Sequence, residues 1–239
     1  MTPTSRAFLQ APPLPSSLQV GEIESFCLQI GRWPLVGADE VGRGPLAGPV
    51  VAAAVVLADD AARTGWGLAG LADSKALTEL QRQELVPRIE AAALGWAIEE
   101  GSVAEIAQYN ILGASLRALA RAGRRAVVQA YQVSGIAPQL WLIDGNQRLR
   151  DCDDLEQLTV IKGDGRSRCI AAASVLAKVY RDRLMVGLDA QFPGYGLARH
   201  KGYPTPEHLA AVAALGPSSI HRLGYGPVAA AARQLGLFD

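Results

Sequence analysis

Four carboxylates stand where a folding chain rarely leaves charge. Asp39 and Glu40 close an apolar run that begins at Leu35, Asp144 closes another that begins at Gln139, and Asp164 follows a third over residues 157–161. Burying a carboxylate is costly by several kcal/mol unless it is paired or binds a metal. At the ends of strands lying side by side the four would repel one another, and a divalent cation is the natural remedy. A donor set of oxygens alone, without clustered histidine or cysteine, favours magnesium or manganese over zinc. Two such ions roughly 4 Å apart can activate a water and stabilise the leaving oxygen in phosphodiester hydrolysis. Asp144-Gly145 and Asp164-Gly165 are also ordinary turn dipeptides, so a cap or turn role stays open for any one aspartate; the four together carry the metal reading.

The elements that must hold these groups can be read from pattern. Residues 35–39 and 49–57 are apolar and valine-rich, as buried strands are, and the glycine-rich stretch between them makes a hairpin. Further strands are expected at 95–101, 139–143 and 157–161. Helices are expected at 78–93, opened by the Thr78-x-x-Gln81 capping pattern, at 103–122, where apolar residues recur at helical spacing, and at 168–188. Short helices follow at 206–215 and 227–235, after a stretch rich in glycine and proline. This alternation predicts an α/β domain with a mixed five-stranded sheet flanked by helices, plus a small helical C-terminal region. Neighbouring residues on a regular strand face opposite ways, so Asp39 and Glu40 can share a site only if the strand breaks there, which Gly42 and Gly44 would make easy.

The 239 residues, 49% of them hydrophobic, suffice for one substantial domain with an appendage or for two small ones. The division expected is a flexible proline-rich arm over 1–30, with at most a short helix near 23–30, a catalytic domain over 31–190 and a helical substrate-binding region and tail over 191–239. Lysine plus arginine equals aspartate plus glutamate at 23 each, so nucleic acid would have to be met by a local basic patch or by metal ions. Three scattered cysteines, Cys27, Cys152 and Cys169, fit a reducing cytosol. No apolar run is long enough to span a bilayer, and a soluble, cytoplasmic, monomeric protein is expected.

Gly37-Ala38-Asp39-Glu40-Val41-Gly42-Arg43-Gly44-Pro45-Leu46-Ala47-Gly48-Pro49-Val50-Val51 resembles the signature opening of the ribonuclease HII family. The likeness extends through Asp73-Ser74-Lys75-Ala76-Leu77, Ile143-Asp144-Gly145-Asn146, Lys162-Gly163-Asp164, Ala172-Ala173-Ser174-Val175-Leu176-Ala177-Lys178-Val179 and His200-Lys201-Gly202-Tyr203, with Thr205 and His208, from about residue 34 to 228. It implies an RNase H-like fold with Asp39, Glu40, Asp144 and Asp164 as metal-binding catalytic carboxylates. The implied activity is cleavage of RNA in RNA–DNA hybrids and incision on the 5′ side of single ribonucleotides embedded in duplex DNA, leaving 3′-hydroxyl and 5′-phosphate ends. The family's Gly-Arg-Gly element, whose backbone reads the ribose 2′-hydroxyl, maps onto Gly42, Arg43 and Gly44, and its junction tyrosine, which packs on the next deoxyribose, onto Tyr203. Arginine between the glycines sets the chain apart from the related type HIII, which usually has lysine there.

Ser74 and Lys75 are further candidate substrate contacts, as are Lys162, Lys178 and Lys201 for phosphate. Asp151, Asp153, Asp154 and Glu156 read as a solvated connection. The last residues, Gln234, Leu235, Gly236, Leu237 and Phe238, resemble the short peptide by which bacterial repair proteins dock on the sliding clamp; a frayed helix end folded back on the core is the alternative. Three other functions compete. A metal-independent ribonuclease would use His200, His208 and His221 as acid and base, but leaves the carboxylates unexplained. Another nuclease of the RNase H-like superfamily lacks use for Gly42, Arg43, Gly44 and Tyr203. A pure phosphate binder gains nothing from concentrated negative charge.

Overall fold

A computed structural model describes residues 18, 20–71, 77–138, 140–150, 152, 154–234 and 236. Ser74, Lys75, Leu235, Leu237 and Phe238 lie outside the described residues, as do Asp151 and Asp153.

Strands β1 (Leu35–Val41), β2 (Val50–Leu57) and β3 (Ala93–Gly101) form an antiparallel meander, and β4 (Leu140–Asp144) and β5 (Gln157–Val160) extend it in parallel. The order is β3-β2-β1-β4-β5, the mixed five-stranded sheet that the pattern predicts. The helices are α1 (Glu22–Gln29), α2 (Asp59–Thr64), α3 (Glu79–Ala92), α4 (Val103–Ser134), α5 (Arg168–Gln191), α6 (Leu197–His200), α7 (Pro206–Leu215) and α8 (Gly226–Gln234).

The sheet is covered on both faces. On one, Leu35, Val51, Ala53, Leu140 and Leu142 pack with the buried side of α5 and with Ile23 and Cys27 of α1. On the other, Val36, Ala38, Ala52, Trp141 and Ile143 pack under Leu116, Leu119 and Ala122 of α4. The period of two along each strand decides this assignment. Gly37 is required by the first face: a Cβ there would lie 2.3 Å from the backbone of Cys169, so only glycine lets the start of α5 rest on β1.

Local chemistry sets the helix ends. Thr78 opens α3 with the expected reciprocal box: its hydroxyl accepts from the Gln81 N–H at 3.3 Å, and its own N–H donates to Gln81 Oε1 at 2.9 Å. Ser102 and Glu105 do the same for α4. Ser167 caps α5, and its hydroxyl donates to the buried Glu24 at 2.6 Å; through this bond α1 is tied to the sheet's main core.

Three expectations change. The chain does not break at Asp39 and Glu40: β1 runs on through Val41, because the pairs Asp39–Ala53, Glu40–Ala52 and Val41–Val51 keep it in the ladder with β2. Helix α4 continues twelve residues past Ala122, as alanines at helical spacing keep packing on the sheet as far as Ala130. The short helices α2 and α6, too brief to show periodicity, were not expected. The three cysteines are free and buried. Among the described residues no helix is long and apolar enough to cross a membrane.

Candidate active site

The carboxylates gather at one edge of the sheet. Ala38 of β1 lies beside Ile143 of the parallel β4, so the next residues, Asp39 and Asp144, emerge together at the strands' C-terminal ends. Asp39 is buried on the α5 side, where it is hydrogen-bonded to Ser174 and accepts from the Glu40 N–H at 2.7 Å. Burial first, and the negative charge of Asp144 second, hold its carboxyl well above the usual carboxylate range. Glu40 faces the other way, into a cleft of about 90 Å³ shared with Arg43, Ser115, Asp144 and Asn146. Burial raises its carboxyl too, against the pull of the Arg43 guanidinium 3.3 Å away.

Asp144, half-buried, accepts the Gly163 N–H at 2.6 Å. That bond draws the 3-10 turn Gly163–Gly165 against the end of β4 and brings the buried Asp164 into the neighbourhood. Electrostatics thus links Asp39, Glu40 and Asp144, while Asp164 is joined to them through its neighbour's backbone. Among the described residues no three of His, Cys, Asp and Glu come close enough to hold one ion between them. The continuous strand explains this, since it sends Asp39 and Glu40 to opposite faces. The donor set nonetheless fits magnesium or manganese. Asp39 and Asp144 offer only oxygen donors and lie close enough for the charge of Asp144 to act on Asp39; magnesium is commonly bound by one or two carboxylates, with water and substrate phosphate completing the shell.

The loop from β1 to β2 is built with equal care. Gly42 has φ +94°, and a Cβ there would meet the buried Arg181 side chain at 2.2 Å. Arg181 donates to the carbonyls of Pro49, Ala47 and Lys201. Arg222, also buried, donates to those of Gly42 at 2.7 Å, Gly48 at 2.9 Å and Arg43 at 3.1 Å. Tyr225 adds a bond to the Arg43 carbonyl at 2.7 Å. The Arg43 side chain and Gly44 remain exposed, and the half-exposed Tyr203 ring lies 3.7 Å from where a Gly44 Cβ would be. Arg43 and Gly44 therefore share one surface with Tyr203, which is distant in sequence, while Gly42 is buried. Pattern reasoning missed Arg181 and Arg222: an arginine in a polar stretch carries no mark of being buried.

The histidines are elsewhere and are spoken for. The Gly202 N–H donates to His200 Nδ1, so His200 Nε2 donates to the Tyr195 carbonyl. His221 Nδ1 accepts the Ser218 N–H, its Nε2 faces His208 Nε2 at 3.2 Å, and His208 Nδ1 donates to the Tyr203 carbonyl. Burial pushes His221 down to about 4 and lowers His208 as well. The buried, neutral His208 and His221 brace the Tyr203 loop, and the ring nitrogens of all three histidines are taken up within the protein. Of the candidate lysines, Lys178 is paired with Asp182 at 2.7 Å and Lys201 bonds the Ala198 carbonyl. In the connection before β5, Glu156 pairs with Arg32 and the exposed Asp154 with Arg124.

A mixed sheet in this order, flanked by α4 and α5 and carrying carboxylates at the ends of β1 and β4, defines the RNase H-like fold. Solved structures share it: the RNase HII of the PCNA:RNase HII complex from Archaeoglobus fulgidus, with TM-score 0.62 and 23% identity over 79% of this chain and 92% of that one, and Bst-RNase HIII in complex with Mn2+, with TM-score 0.63 and 19% identity over 89% and 73%. In sequence, residues 36–227 match the ribonuclease HII family. A ribonuclease HII from Pelotomaculum thermopropionicum is 49% identical over 205 residues, 86% of this chain and 72% of the relative. The chain belongs to the ribonuclease HII family, whose members are metal-dependent ribonuclease H hydrolases.

Proposed function

We propose that the protein hydrolyses the RNA strand of RNA–DNA hybrids and incises duplex DNA on the 5′ side of single embedded ribonucleotides, leaving 3′-hydroxyl and 5′-phosphate ends. It would act as a monomer in the cytoplasm, in the removal of ribonucleotides left by replication. The observation that carries the reading is the buried Asp39 beside Asp144 at the C-terminal edge of the sheet, two carboxylates each of which makes the other's charge unfavourable.

Asp39, Glu40, Asp144 and Asp164 are the proposed catalytic and metal-holding groups. Two magnesium or manganese ions bound there would supply Lewis-acid activation and neutralise charge on the phosphate. The likeness to Bst-RNase HIII, solved with Mn2+, supports the choice of cation. In the reaction a water oxygen joins phosphorus, the bond to the preceding nucleotide's 3′ oxygen breaks, and that oxygen leaves as a hydroxyl. The part of this chain is to hold the ribose in place. The backbone of Gly42, Arg43 and Gly44, fixed by Arg222 and Tyr225, meets the 2′-hydroxyl, and Tyr203 beside Gly44 packs on the following deoxyribose. Ser74 and Lys75 are proposed to hold phosphate. Residues 31–190 would form the catalytic unit and 191–239 the region that positions substrate.

The test is cleavage of a DNA duplex containing one ribonucleotide, beside an all-DNA duplex. We expect a single nick in the first only, lost in EDTA, restored by magnesium or manganese, and reduced about a hundred- to a thousandfold in Asp39→Asn, as when a charge-stabilising group is removed. Cutting of the all-DNA duplex, or full activity in EDTA, would refute the reading. The terminal peptide Gln234, Leu235, Leu237 and Phe238 is proposed to dock on a sliding clamp, a reading supported by the solved complex of the archaeal relative with PCNA. Equal capture by purified clamp of the full chain and of one lacking residues 234–239 would overturn it.

A further inference from the structure

A second cavity lies apart from the carboxylates. It is a groove of about 700 Å³ along α4, lined by Tyr109, Asn110, Arg117, Arg121, Arg124 and Arg150. Among the described residues four arginines line it and no carboxylate does, in a chain whose net charge is zero. Arg121 and Arg124 are held at its wall by Glu105 and Asp154. Arg117 stacks over the Tyr109 ring at 4.1 Å, and among the described residues neither it nor Arg150 has a carboxylate partner. Leu112 and Leu116 line both this groove and the cleft holding Glu40 and Asp144, so the two lie side by side and share a wall.

We infer that this groove extends the substrate-binding surface and takes the phosphodiester backbone of the duplex beyond the cleft, with Arg117 and Arg150 as its phosphate contacts. The inference rests on the proposed reading of duplex substrate and adds to it where the duplex lies. Three physical points carry it. Helix α4 advances about 18 Å between Leu112 and Arg124 at its ordinary rise, the length of about five nucleotides along one strand. Guanidinium groups at the rim of an open groove meet phosphate oxygens in bidentate geometry. Cations already stacked or braced, as Arg117 and Arg124 are, lose little freedom on binding.

The experiment measures affinity by fluorescence anisotropy, in calcium to suppress cleavage, for ribonucleotide-containing duplexes extended on one side of the ribonucleotide at a time. Short arms reach about three base pairs and long arms about twelve, to fall short of or overrun the groove. For the wild type, lengthening one particular arm tightens binding. In R117A/R150A we expect that gain to fall on the order of tenfold and the salt dependence to flatten by about two counterions, while the other arm gains as before. R117K/R150K keeps most of the gain, and R125A, whose guanidinium is paired with Glu99 outside the groove, keeps all of it. Circular dichroism melting checks that each variant is folded. An unchanged length gain and salt slope in R117A/R150A would overturn the inference, as would a mononucleotide that reduces long-arm binding to the short-arm value, since the groove would then be a nucleotide site. If the wild type binds neither duplex, the functional reading itself fails.

Discussion

Arg222 donates to three backbone carbonyls of one loop, those of Gly42, Arg43 and Gly48, and its guanidinium is almost wholly buried. Buried acceptors left without donors cost about 1–3 kcal/mol each, and Arg222 serves two, those of Gly42 and Gly48, besides the Arg43 carbonyl that Tyr225 also reaches. Arg222→Met should therefore destabilise the protein by roughly 3 kcal/mol or more in urea titration. The same variant should raise KM for a ribonucleotide-containing duplex, because the carbonyls that shape the Gly42–Gly44 backbone would be free to turn. Arg222→Lys should recover little of either, since one ammonium cannot span three divergent acceptors. Gly42→Ala should cost about 2 kcal/mol on its own, from the left-handed backbone and from contact with the pinned Arg181.

At the scale of elements, α4 matters most, since it covers one face of the sheet and walls both the cleft and the basic groove. It is not one uniform helix. Asn110 has φ +58° and its side chain accepts the Gly113 N–H at 3.0 Å, acting as an internal cap where a short first segment meets the long second one. With ψ at 174° this is a conformation that glycine alone adopts freely, so asparagine is strained there and its cap hydrogen bond helps to hold it; alanine would keep the strain and lose the acceptor. Asn110→Ala should cost about 1–2 kcal/mol, and Asn110→Gly only a few tenths, because glycine keeps the backbone within reach. Comparison of their melting midpoints decides the point: equal losses would mean that the cap is incidental.

For the whole molecule, the buried histidines couple stability to pH. His221 and His208 are neutral in the folded chain with values below the ordinary histidine value, His221 at about 4. Unfolding exposes them to protonation, so the unfolded state binds more protons between about 6.5 and 4, and their contribution is intact above about 6.5 and lost as pH falls through that window. The raised carboxyls of Asp39, Glu40 and Glu24 act in the opposite sense, losing stability as pH rises through their folded values. The histidine part is isolated as the stability difference between wild type and His221→Gln. That difference should shrink by about 2 kcal/mol from pH 7 to pH 5. A difference independent of pH would mean that His221 is not held neutral.

The strands, the capping of α3 and the grouping of Asp39, Glu40 and Asp144 near one sheet edge were legible because they are encoded locally, in runs of two-residue or helical period and in an acidic residue closing each apolar run. The family could be read from the same residues, since Gly37-Ala38-Asp39-Glu40-Val41-Gly42-Arg43-Gly44 is contiguous. What depends on contacts between distant residues was not legible. The unbroken course of β1 past Asp39 is decided by its ladder with β2, and the length of α4 by packing on the sheet. The burial of Arg181 and Arg222 is decided by carbonyls more than a hundred residues away in sequence. The histidines' common role comes from three separate segments meeting around Tyr203, and the basic groove from Arg150 returning beside α4. Residue type and spacing suffice to specify the class of chemistry; which groups are positioned, paired or open to a substrate is set by neighbours in space, and those only the fold supplies.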